Sequence, residues 1–200
     1  MNERPAVDAS RLPGFAFGPQ GLLWWGTAGF MVIEGSMFVM ALVVYFYLRL
    51  KVPDWPPSLP NPGVGYATAN LLLVLVSCIP NQLAKGAAER FDLRGSRLWL
   101  GILVLIGIGN VALRAMEYTQ LNCRWDDNAY ASITWLLLSM HTIHVATDVV
   151  DSGVLWVVIV AEPVTERRFV DVSENSLYWY FIVAWWIPIY LTVYFAPRWL

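Results

Sequence analysis

The chain has two histidines, and they stand three residues apart in SMHTIHVATDVVDSG, followed by two aspartates: His141, His144, Asp148 and Asp151. On a helix turning about 100° per residue these four side chains fall within about 80° of arc, one titratable stripe. An ionisable group in hydrocarbon costs on the order of 3 kcal/mol, so the stripe must face protein or a wet crevice. One reading is a set of interhelical hydrogen bonds from histidine to carboxylate. A metal site is its rival, since two histidines and a carboxylate are common ligands, but the chain holds no second histidine cluster.

Glu34 is the clearest isolated case. It lies in the middle of WWGTAGFMVIEGSMFVMALVVYFYL, with Phe30, Met31, Met37 and Phe38 beside it at helical spacing. It reads either as a neutral carboxyl hydrogen-bonded to another helix or as a proton-exchanging or partner-contacting carboxylate. Arg114 and Glu117 in NVALRAMEYTQ are three apart, which suits an intrahelical ion pair; a contact with another helix or a lipid headgroup is the alternative. Asn70, Asn81 and Gln82 suit hydrogen bonds between helices, and Pro80 a kink. Of the two cysteines, Cys78 lies in an apolar run and Cys123 in a connecting segment, which supports neither a disulfide framework nor a thiolate metal site.

The elements that must position these groups follow from composition. Of the 200 residues 58% are hydrophobic and 14% charged, against about 25% charged in ordinary soluble domains. Five runs reach the roughly 20 apolar residues a spanning helix needs, over about 24–48, 66–83, 98–113, 130–160 and 176–195. The fold expected is an all-α polytopic bundle of five transmembrane helices, and residues 1–200 form a single membrane domain. Many of the 11 Trp and nine Tyr fall near the ends of the runs, where rings meet headgroups. The proline-rich RLKVPDWPPSLPNPGVG cannot continue a helix, while Ala84 to Arg97 reads as a solvated connector and Ala161 to Asn175 as a short polar one. The start, MNERPAVDASRLPGFAFGPQG, does not read as a cleavable signal, so the first helix directs insertion.

A net charge of -2 argues against nucleic acid as a partner. With five crossings, Arg4, Arg11, Lys85, Arg90, Arg94, Arg97, Arg167 and Arg168 share one side, against Arg49, Lys51, Arg114, Arg124 and Arg198 on the other. That asymmetry favours a cytoplasmic N-terminus and a periplasmic C-terminus.

Taken in order, the WG ahead of Glu34 with its YFYLR end, Glu117-Tyr118, His141-Thr142-Ile143-His144-Val145, and Tyr178-Trp179 with Trp186 and Tyr190 resemble the signatures of subunit III of the haem–copper (cytochrome c) oxidases, in its short five-helix bacterial form. The resemblance covers about Trp24 to the C-terminus. It implies a non-catalytic subunit of a terminal oxidase of aerobic respiration in the bacterial inner membrane. It would pack with subunits I and II and with phospholipids, carry no cofactor of its own, and leave haem and copper to its partners. It would support stability, lipid and oxygen access, and proton uptake of the catalytic subunit. Glu34, Glu117, His141 and His144 match the family's glutamates and HxxH pair.

The chain departs from the family where Trp179 is followed by Tyr180, Phe181, Ile182 and Val183 in place of a run containing His and Asp. Asp148 and Asp151 stand where the family is small or apolar, and the expectation is that they replace the lost polar contacts. A subunit-III-like accessory protein of a nitric oxide reductase would share these features. A proton-coupled transporter is disfavoured, since no inverted repeat or matched pair of broken helices is evident.

Overall fold

A computed structural model describes residues 15–161 and 165–199; Arg4, Arg11 and the first 14 residues of the segment read as lacking a cleavable signal lie outside them. After a short 3-10 turn at Gly18–Gln20 come α1 (Leu22–Arg49), α2 (Gly65–Glu89), α3 (Leu93–Thr119), α4 (Ala129–Ala161) and α5 (Glu166–Tyr190), the last continued by a π-helical turn (Leu191–Phe195) and α6 (Ala196–Trp199). The described residues contain no strand. Five helices, the last counted through Trp199, are long and apolar enough to cross a membrane.

The helices run past the apolar stretches, most of all on one side. Lys85 and Glu89 belong to the last turns of α2, and Arg94 and Arg97 to the first turns of α3, so the break between them is only Arg90 to Asp92. The fifth helix begins at Glu166, not near Ser176. A helix of 25 residues is about 37 Å long against a hydrocarbon core of about 30 Å, and its ends reach headgroups, where charge does not stop a helix. What stops α2 is Phe91 at φ 57, and what starts α3 is Asp92, whose side chain caps the Arg94 amide at 3.1 Å. Arg97 then donates to the Ile159 carbonyl of α4 at 2.7 Å, and Trp156 returns a bond to the Arg97 carbonyl at 2.9 Å. The cation satisfies a helix C-terminus. Pro80 leaves α2 continuous to Glu89.

Burial runs inside out relative to a soluble protein. α5, the least apolar of the five spans, is the most buried, at 56% of its apolar window, whereas α1, among the most apolar, is 22% buried. α5 packs against α2, α4 and α1; α3 packs against α2 and α4; and α1 packs mainly against α4 and α5 among the spans. Association in lipid depends on close packing and interhelical hydrogen bonds, and the α2–α5 seam has both. Thr68 meets Tyr190 at 2.6 Å, Trp179 donates to Ser77 at 2.8 Å, Asn81 to the Ser176 carbonyl at 3.1 Å, and Tyr180 to Gln82 at 2.8 Å. Tyr180 thus gains a partner where the family pattern has a histidine, and Val183 is buried among apolar residues. Gly107 lets α3 and α4 close up, since a Cβ there would lie 2.5 Å from the Val149 methyl.

Candidate functional site

The polar groups expected from the sequence resolve into two centres. The first joins α1, α4 and α5. Glu34 Oε1 lies 3.2 Å from His144 Nε2, and Tyr178 donates its hydroxyl to Glu34 Oε2 at 2.7 Å. The glutamate and histidine side chains are 13% and 12% exposed. His144 Nδ1 stands 2.5 Å from the Met140 carbonyl, which can only accept, so Nδ1 carries its hydrogen. Nε2 then faces Glu34 Oε1, and a hydrogen on either atom would complete the contact.

The second centre is sealed in the bundle. Arg114 Nη1 donates to both oxygens of Glu117, at 2.8 and 2.9 Å, and the two residues are 2% and 3% exposed. Asn70 of α2 donates to Glu117 Oε2 at 3.4 Å, and Tyr194 of the π-helical turn donates to Oε1 through a short hydrogen bond. Arg114 Nη2 approaches His141 Nδ1 at 3.3 Å. A guanidinium has only donors, so Nδ1 accepts and the Nε2 hydrogen goes to the Ile182 carbonyl at 3.1 Å. His141 is therefore held as a neutral ring in one tautomer. The guanidinium also lies 3.7 Å from the Trp186 ring centre, a cation–π contact in a dry site. The pair, with its contacts to Asn70, His141 and Tyr194, ties four helices together.

The α4 stripe is therefore divided. His141 belongs to the sealed centre and His144 to the first, with Phe38 of α1 against both rings at 6.5 and 4.9 Å. Only His144 makes the histidine–carboxylate bond. Asp148 and Asp151 were expected to replace lost polar contacts, and the structure corrects this: Asp148 is buried with Oδ2 unpartnered among the described residues, and Asp151 is exposed. Both line a cleft of about 930 Å³ between α1, α4 and α5, whose lining also includes Glu34, His144 and Tyr178. Arg114 and Glu117 do form the intrahelical pair, and they also reach other helices. Arg114 is buried, so it is no part of the loop charge on its side of the membrane.

Sequence reading did not single out Tyr178, Trp186 or Tyr194 as site residues. Tyr178 and Trp186 stood out only through the resemblance, and among nine tyrosines nothing marks Tyr194 except its place on the last span, which carries partners of both centres. Among the described residues no group of three or more His, Cys, Asp or Glu side chains could hold a metal ion. Cys78 and Cys123 are free thiols. Burial, with Asp127 nearby, pushes the Cys123 thiol up to about 11.

Relatives of known name match 85 to 94% of the chain. The chain has homologues among bacterial cytochrome c oxidase subunit 3 chains. It is 27% identical over 193 residues to the "Cytochrome c oxidase subunit 3" of Synechocystis sp., covering 94% of this chain and 83% of the relative. It is 24% identical over 174 residues to that of Thermostichus vulcanus, covering 86% and 87%. To that of Corynebacterium diphtheriae it is 26% identical over 181 residues, covering 85% and 86%. No protein-family model matches the chain.

Proposed function

We propose that this chain is the non-catalytic subunit III of a bacterial terminal haem–copper oxidase, forming one membrane domain that packs with subunits I and II and with phospholipids. Haem and copper are held by those partners, and the chain supports the catalytic subunit's stability, its access to lipid and oxygen, and its proton uptake. The observation that carries this reading is coverage: relatives named cytochrome c oxidase subunit 3 align over 83 to 87% of their own length.

The arrangement of the helices suits this role. α1 exposes a broad apolar face, including Val32, Ile33, Met40 and Val43, available to lipid or to a partner helix. The N-terminus faces the cytoplasm in this reading, because Lys85, Arg90, Arg94, Arg97, Arg167 and Arg168 share its side. Purification of the tagged chain in mild detergent tests the proposal through a visible spectrum. Haem absorbance with co-purifying large subunits is the expected result, and a solitary haem-free chain from respiring cells would overturn it.

A further inference from the structure

Two carboxylates on the cleft wall are left with an oxygen that meets no hydrogen-bond donor, Asp148 Oδ2 and Glu174 Oε2, in residues 3% and 4% exposed. A buried polar atom without a partner carries its full desolvation cost, about 1–3 kcal/mol and more if charged. Both residues line the cleft, and water there would supply the donor that each oxygen lacks. The cleft has room, since one water needs only about 10–15 Å³ of such space and the cleft offers about 930 Å³.

The lining is also ordered by depth. On α5 it runs from Arg168 and Asp171 through Glu174 to Tyr178, and on α4 from Asp151 through Asp148 to His144. Ten residues of helix separate Arg168 from Tyr178, about 15 Å, the distance from headgroup level to the centre of the hydrocarbon. The two ladders converge on Glu34, the one carboxylate already bonded to a histidine and a tyrosine.

We propose that this cleft is a hydrated proton well, in which water bound to Asp151, Asp148 and Glu174 carries protons from the membrane surface beside Arg168 to the Glu34–His144 pair. The groups that face the pair are Tyr178 and Glu174 from α5 and Asp148 and Asp151 from α4, with Arg168 held at the mouth by Asp171 at 3.1 Å. In the transfer, a hydronium ion in the well gives its proton to a carboxylate oxygen of Asp148, and that proton passes through water to Glu34 Oε1 or His144 Nε2. No electrons move and no heavy-atom bond changes. The well is closed at its inner end, because His141, one turn further along α4, is fixed as a neutral ring by Arg114 and Ile182. It stores and returns protons on one side and does not conduct across the membrane. This inference rests on the proton-uptake part of the proposed function and assigns that role to residues of this chain.

The test is infrared difference spectroscopy of the purified complex in lipid vesicles after a pH jump or transfer to deuterium oxide on the side bearing the N-terminal end of α1. The expected result is a protonated-carboxyl band that Glu34→Gln abolishes and that responds in the wild type. Asp148→Asn, with the band retained, should slow the response on the order of 10- to 100-fold, the low end of what a positioned acid–base group contributes. Gly26→Phe tests the route without touching an acid. Gly26 lines the cleft with nothing within 4 Å of its Cβ position, so the ring would occupy the well and slow the response likewise. A Glu34 band that does not respond, or one that responds at the wild-type rate in both variants, would overturn the proposal. Haem content of the same sample reports on the oxidase reading separately.

Discussion

Replacing Glu117 by glutamine keeps the volume of the side chain and one acceptor but leaves the Arg114 charge alone in a site where the arginine is 2% exposed. Removing one partner of a buried ion pair costs about 3–5 kcal/mol. The amide oxygen of Gln returns about 1 kcal/mol through one remaining hydrogen bond, so the net loss expected is about 2–4 kcal/mol. At roughly 2–4 °C per kcal/mol for a chain of this size, that is a fall in melting temperature on the order of 4–16 °C. Arg114→Met should cost a similar amount, because it strands the carboxylate among Asn70 and Tyr194. The double variant Arg114→Met with Glu117→Leu removes both charges, and buried pairs replaced by apolar groups of similar volume are often no less stable. It should therefore melt closer to wild type than either single variant. The assay is thermal unfolding of the purified complex, followed by labelling of the buried Cys123 in a Cys78→Ala background. Single variants that melt within about 1 °C of wild type, or a double variant whose loss equals the sum of the two, would refute the argument that the charges are coupled.

Two further outcomes follow from packing and from the thiol. Gly107→Ala should destabilise the bundle by about 1–3 kcal/mol, since the new methyl meets Val149 at 2.5 Å and Trp179 at 3.4 Å, whereas Gly109→Ala, with only Leu73 at 3.7 Å, should change the same melting curve by less than about 0.5 kcal/mol. Cys123 is a thiol at neutral pH with its value raised to about 11 from the ordinary 9.0; maleimide labelling should stay slow near pH 8 and accelerate towards pH 11. The linkage has the same sign, because the folded state favours the neutral thiol: its contribution to stability is intact below about pH 9 and is lost as pH rises towards 11. Labelling that is already at its plateau at pH 8 would contradict the burial of this loop.

The spans and the titratable groups were legible because membranes impose strong rules. Twenty apolar residues must be helical, and a charge among them needs a partner, so Glu34, Arg114 and the α4 stripe stood out on type and position alone. The ends of the helices were not legible. Lys85, Arg94 and Arg97 signal water contact, and water contact at headgroup depth is compatible with either a loop or the projecting turn of a helix. The partners were legible in class and not in identity. A carboxylate such as Glu34 demands a donor, but whether that donor is His144, Tyr178 or a residue elsewhere depends on which face of α5 turns to α1, and periodicity within α5 does not carry that information.

The division of the α4 stripe has the same cause. His141, His144, Asp148 and Asp151 lie within one narrow arc of their own helix, and an isolated helix would treat them as one surface. What differs along the arc is the neighbour. At His141 the helix is enclosed by α3 and α5, and Arg114 and the Ile182 carbonyl occupy both ring nitrogens. At His144 the neighbour is α1, which supplies a carboxylate. At Asp148 and Asp151 the cleft between α1 and the α4–α5 pair takes the place of a neighbour. A side chain's angle on its helix sets its direction, and its position along the helix sets whether that direction ends in protein or in the cleft. The two aspartates that depart from the family pattern line the cleft, and the two histidines that match it are placed where the bundle closes.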